Sequence, residues 1–263
     1  MSGPFFEIIP WCVGFIAVTW LLSVITREYS WVDRIWSVAP PIYMWLMVWK
    51  TANPPPRLIM LAVLVTLWGI RLTFNYARKG GYAPGGEDYR WAILREKLGP
   101  IGFQLFNATF IAPYQNILIF LLVAPANDIA SSTTPLGVLD YALAAVFLAF
   151  LTGEAVADQQ QWNFHQAKKA RKARGESGPE FCTTGLFKYS RHPNFFFEVS
   201  QWWVVYAIGC VATGQLLHWS LIAPVLLTLL FDGSTRFTEW ITKGKYPAYA
   251  DYQKSTSRLI PLP

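Results

Sequence analysis

The chain has 263 residues, of which 53% are hydrophobic and only 14% charged, with 13 tryptophans and a formal charge of +6. Its apolar residues fall in long blocks separated by short polar ones, which excludes an ordinary soluble domain and predicts an all-α polytopic membrane protein. The positive charge does not point to nucleic acid, because the cations lie in short juxtamembrane loops with no recognisable nucleic-acid module around them.

Seven spans are predicted in chain order, at Ile8–Ile25, Trp31–Trp49, Leu58–Phe74, Ile101–Val123, Val138–Ala157, Phe195–Ala212 and Leu216–Phe231. Each approaches the roughly 20 apolar residues that a bilayer needs. The second is expected to break near Pro40-Pro41, and the last two to form a hairpin. Glu7 and Pro10 interrupt the first apolar run and no basic segment precedes it, so no cleaved signal is expected. Residues 1–263 read as a single membrane domain with a cytosolic cap of loops and tail.

Of the 22 Lys and Arg residues, 19 fall on one side when the loops are counted alternately. The positive-inside rule makes that side cytosolic, with the N-terminus outside and the C-terminus in the cytosol. A multi-pass protein of the endoplasmic reticulum membrane is expected if the source is eukaryotic, and of the inner membrane if bacterial. Cys12, Cys182 and Cys210 are dispersed, so free thiols are expected and no metal centre. The sequon Asn107-Ala108-Thr109 lies inside the fourth span and is expected to carry no glycan.

The polar residues between spans carry the chemistry. Gly80-Gly81-Tyr82-Ala83-Pro84-Gly85-Gly86-Glu87-Asp88-Tyr89-Arg90-Trp91 reads as a shaped loop whose acids either meet a ligand or cap the helix starting near Tyr89. Beyond the fifth span, Glu154, Asp158, Gln161 and His165 recur at helical spacing and share one face, read as a ligand-facing stripe. The run Lys168 to Arg174 is read as solvated or headgroup-facing, with no catalytic role.

Gly185-Leu186-Phe187-Lys188-Tyr189-Ser190-Arg191-His192-Pro193-Asn194-Phe195-Phe196-Phe197-Glu198 then runs into the sixth span. It places a cation, an imidazole, a carboxamide and a carboxylate at the lip of a membrane helix, where such groups are costly unless something polar binds them. In the tail, Tyr246, Tyr249 and Tyr252 recur every three residues beside basic donors. They suit a planar ring with phosphate nearby, or an aromatic belt at the membrane surface.

The Gly185 to Phe195 segment with Glu198, the Asp158-x-x-Gln161-x-x-Phe164 stripe, Gly86 to Trp91, and Tyr249-x-x-Tyr252 with Arg258-Leu259-Ile260-Pro261 together resemble the steroid 5α-reductase-like membrane family. The resemblance runs from about Ser30 to the C-terminus and is stronger to the branch found in bacteria and fungi. It implies seven helices, NADPH held between membrane and cytosolic loops, and reduction of an activated C=C bond in a lipid-like substrate entering from the bilayer. Asp158, Asn194 and Glu198 match the family's polar cofactor contacts. Arg71, Gln161, Tyr189, Arg191, His192, Tyr249, Tyr252 and Arg258 join them as candidate cofactor-binding residues.

Steroid-reducing members place a substrate-binding Tyr three residues before an Arg in a membrane helix, whereas this chain has Trp68 before Arg71. Isoprenylcysteine and phospholipid methyltransferases of membranes carry a similar Arg-His-Pro element, so an S-adenosylmethionine-dependent methyltransferase is the alternative. Those enzymes usually show two late acidic residues, and this chain has only Glu239, beside Trp240. Membrane lipids are the expected surroundings.

Hydride reduction of an enone leaves negative charge on the carbonyl oxygen, which calls for a proton donor nearby and for exclusion of water. A neutral acid or phenol serves. Asp33, raised toward neutrality if desolvated, and Tyr114 are the catalytic candidates, with Tyr43 a further buried phenol. Asp33 followed by Arg34 also reads as a local ion pair.

Overall fold

The computed structural model describes residues 3–262. In chain order its helices are α1 (Pro4–Glu7), α2 (Ile9–Thr26), α3 (Trp31–Trp36), α4 (Ala39–Lys50), α5 (Pro56–Arg78) and α6 (Tyr89–Phe106). A π-helix, Asn107–Tyr114, leads into α7 (Gln115–Leu121) and α8 (Pro125–Ala130). There follow α9 (Val138–Ala173), α10 (Pro193–Thr213), α11 (Ile222–Lys245) and α12 (Tyr249–Ser255). Among the described residues the only β feature is an isolated bridge between Ser190 and Ser257.

Six helical stretches are long and apolar enough to cross a membrane: Pro4–Thr26, Pro56–Arg78, Tyr89–Ala130, Val138–Ala173, Pro193–Thr213 and Trp219–Lys245. The chain is therefore an all-α, multi-pass membrane protein. The remaining expected span, residues 31–49, comes as the two shorter helices α3 and α4, with the break at Ser37-Val38. Pro40 and Pro41 then fall in the first turn of α4, where a missing N–H breaks no helical hydrogen bond.

The chain divides into two compact units. The first comprises Met1–Ala144 and Val205–Pro224. Here α4 packs on α5. Tyr43, Met44 and Met47 are buried on one helix, and Leu58, Leu61, Val65 and Trp68 on the other. Gly69 permits a close approach, since a Cβ there would stand 2.5 Å from the carbonyl oxygen of Ser37.

Tyr89–Ala130 bends at Gly99, whose φ of 67° precedes Pro100. It then widens into the π-helix, where Asn107 donates to Ser23 Oγ at 2.9 Å. One further turn along α2, Thr19 Oγ1 accepts from Asn116 at 3.0 Å. Amide-to-hydroxyl bonds of this kind join helices where lipid offers no hydrogen-bonding partner. Arg57 and Asp140, 2% and 1% exposed, form a buried ion pair with bonds of 2.6 and 2.8 Å, and Thr134 and Pro135 accept the remaining guanidinium protons.

The second unit comprises Ala145–Val204 and Val225–Pro263. α9 and α10 approach closely at Gly153, where an added Cβ would lie 2.7 Å from the Phe197 ring. Beside that contact Gln201 donates to Glu154 at 2.7 Å, both fully buried. α10 meets α11 through the Phe195 and Phe231 rings, 4.7 Å apart.

The basic end of α9 departs from the solvated reading most at Lys168, while Arg171 is half-buried and donates to the Pro179 carbonyl at 2.9 Å. Lys168 is largely buried, donates to the Tyr246 hydroxyl at 3.1 Å and pairs with Glu180 at 2.8 Å, which ties the following loop to the helix. Its ammonium holds the Glu180 carboxyl below the usual range. Lys169, Lys172 and Arg174 are exposed, as expected.

Candidate functional site

The Gly185 to Glu198 segment is shaped by its own backbone and by α9. Gly185 has a φ of 63°, which a side chain rarely adopts. The Gln160 side chain of α9 accepts the Leu186 N–H at 2.9 Å and starts a short 3₁₀ turn, Gly185–Lys188. Phe187 is buried with Ala157 and Cys182, and Pro193 opens α10.

Between these points the chain pairs with its own tail. The N–H groups of Arg191 and His192 donate to the carbonyls of Ser257 and Arg258 at 2.8 and 3.1 Å. Ser190 Oγ donates to the Leu259 carbonyl at 2.7 Å, and Leu262 N–H to Tyr189 at 3.1 Å. The tail is thereby fixed along the motif.

Glu239 on α11 is the centre of the arrangement. Its carboxylate accepts two bonds from Arg191, at 2.6 and 3.0 Å, one from Gln253 at 2.9 Å and one from the Tyr249 hydroxyl at 3.4 Å. His192 Nε2 lies 3.0 Å from the same carboxylate. Arg191 Nη1 also donates to the carbonyls of Gln253 and Thr256. Burial raises the tyrosine hydroxyls of Tyr249 and Tyr252, so both remain donors; Tyr252 donates to the carbonyl of Phe187. The guanidinium, the imidazole and both phenols thus have protein partners.

Over this cluster lies an open recess of about 530 Å³, lined by Arg191, Arg236, Glu239, Trp240, Lys243, Gln253 and Arg258. Four cations and one carboxylate form its wall. Asp232 binds both Arg236, at 2.7 Å, and Arg258. Trp240 is 55% exposed and parallel to Phe237, with ring centroids 6.0 Å apart.

Asp158 and Glu198 are buried in the second unit. Asn194, the second residue of α10, and Gln161 are half-buried, and neither side chain makes a hydrogen bond among the described residues. Tyr189 is exposed. The helical stripe turns outward along α9, from buried Glu154 and Asp158 through Gln161 to exposed His165.

Asp33, Arg71 and Tyr114 belong to the first unit. Asp33, on α3 outside the six spanning stretches, accepts from the Trp91 indole at 3.3 Å. Burial first, and then the Asp88 carboxylate, push its carboxyl up. Arg34 pairs with Glu28 at 2.6 Å, so the ion pair that the sequence offers at Asp33-Arg34 is made elsewhere. Tyr114 stacks on Phe110, ring centroids 4.9 Å apart, and Arg71 is half-buried on α5.

The glycine-rich loop holds itself closed. Glu87 accepts the Tyr29 N–H at 2.6 Å and pairs with Arg95 at 3.0 Å, while Asp88 caps α6 by accepting Arg90 N–H at 2.9 Å. Both acids are therefore committed to the loop and helix. Glu28 accepts Gly85 N–H at 2.8 Å, and that bond, with Arg34 beside it, holds its carboxyl below the usual range.

Glu239 as a hub, Gln160 as the cap of the motif, the Glu154–Gln201 pair and the aromatic-basic face of α11 were not singled out from sequence. A carboxylate late in an apolar helix was the available signal for Glu239, and buried acids in membrane segments usually have a named partner.

No solved structure matches the chain. It is similar to the uncharacterized protein C594.04c of Schizosaccharomyces pombe, 35% identical over 260 residues, with 93% of this chain and 76% of that protein covered. A family model described as a protein of unknown function, DUF1295, matches residues 19–256. With most of its length matched, motif and hub included, the chain belongs to the DUF1295 family.

Proposed function

We propose that this protein is a membrane oxidoreductase that binds NADPH at the basic recess of its second unit and reduces an activated C=C bond in a lipid-like substrate. The observation that carries the reading is the wall of the recess: four cations against one carboxylate, beside an exposed indole. A phosphorylated dinucleotide brings several negative charges and flat rings to such a wall. S-adenosylmethionine brings a sulfonium and an ammonium against a single carboxylate, and the same cations oppose it. The resemblance to the steroid 5α-reductase-like family supports the reductase and supplies the C=C bond as its target.

Lys243, Arg236 and Arg258 would meet phosphate, and Asn194 and Gln161 would offer their amides. Arg191 and His192 act through Glu239, holding the motif, α11 and the tail in place. When bound, the reduced nicotinamide supplies a hydride. The excess of basic residues on one side supports a cytosolic C-terminal tail. Incubation with NADPH deuterated at the transferable position and a mixture of enone-bearing lipids tests the activity, since deuterium in a saturated lipid product is the expected mass-spectrometric result.

A further inference from the structure

Of the four cations around the recess, the fold occupies three. Arg191 is bound to Glu239, and Arg236 and Arg258 to Asp232. Lys243 has no partner among the described residues and is exposed. It follows Trp240 by three residues, and Arg236 precedes Trp240 by four, so all three share one face of α11. The Trp240 ring is backed by Phe237 at an interplanar angle of 8°. A supported indole with an uncommitted ammonium one turn away suits a ligand that joins a flat ring to a phosphate.

We propose that Trp240 and Lys243 are the specificity-determining pair for the adenosine end of the nucleotide. The indole takes the purine face, a contact that tolerates many rings. The Lys243 ammonium, with Arg236 beside it, takes the phosphate on the ribose, the group that distinguishes NADPH from NADH. The assignment rests on the reductase reading, and names the residues that choose its cofactor.

The test uses the full chain purified in detergent and titrated with NADPH, NADH, 2′,5′-ADP and 5′-AMP. Lys243→Gln is expected to weaken NADPH and 2′,5′-ADP about tenfold and to leave NADH and 5′-AMP within about twofold. Lys243→Arg is expected to retain the preference. Trp240→Leu is expected to weaken all four ligands about tenfold. Both side chains are exposed, and unchanged melting temperatures establish that the variants fold.

If the parent chain prefers NADPH and Lys243→Gln leaves that preference intact, the assignment is overturned while the reductase reading stands. The same holds if Trp240→Leu alters only partition onto lipid vesicles, which is the behaviour of an interfacial anchor. If the parent chain binds none of the nucleotides, the reductase reading fails together with the assignment.

Discussion

Glu239 grips Arg191 with both carboxylate oxygens, at 2.6 and 3.0 Å, and the two side chains are 6% and 9% exposed. This pair joins the Arg-His-Pro segment to α11, and Gln253 and Tyr249 bring the tail to the same carboxylate. A guanidinium that looks from sequence like a ligand contact therefore has a framework role here, and it sets the wall on which the other cations stand.

Glu239→Gln keeps the size of the side chain and leaves Arg191 buried without its counter-charge. Removing one member of a buried pair costs about 3–5 kcal/mol. Thermal unfolding in detergent is expected to show a clearly lowered midpoint, with earlier proteolytic cleavage of the tail. A variant that melts with the parent would mean that the pair contributes little.

Gly153→Ala places a methyl group 2.7 Å from the Phe197 ring, which cannot turn aside as a flexible chain end would. Overpacking of this kind costs about 1–3 kcal/mol. Phe197→Leu in the same chain is expected to recover part of the loss. If the two changes simply add, the helices do not meet as described.

The helices were legible because hydropathy reports burial in lipid directly. The broken second span was legible in outline through Pro40-Pro41, and the cap at Asp88 through an acid just before a helical pattern. The π-helix was not, since a widened turn leaves no period of its own in eight residues. Nor were the pairs of Asn107 with Ser23 and Asn116 with Thr19, which join positions 84 and 97 residues apart. At the site, the motif stood out because polar residues are rare beside an apolar run. Glu239 did not, because its partners come from positions 191–192 and 249–253 and only folding gathers them.

Asp33 supplies a pH dependence with a definite sign. Its carboxyl is raised in the folded chain, above the ordinary value of about 3.9, so the folded state favours the protonated form. The stability this gives is fully present below the ordinary value and is lost as pH rises through the raised one. Asp33→Asn is therefore expected to gain stability over the parent as pH rises, with the two chains converging in acid. A difference in melting temperature that does not vary with pH would contradict this.

Asn194→Asp retains the size of the side chain, removes its donors and adds a negative charge near an anionic ligand. The affinity for NADPH is expected to fall about thirtyfold, roughly 2 kcal/mol, with membrane insertion unchanged. An affinity within about twofold of the parent would remove Asn194 from the site.

Binding of NADPH, NADH and S-adenosylmethionine to the purified full chain, measured side by side by titration in detergent, tests the central claim most directly. The expected result is saturable NADPH binding, weaker NADH binding, and none by S-adenosylmethionine. Saturable binding of S-adenosylmethionine with no response to NADPH would contradict the reductase and make the protein a methyltransferase.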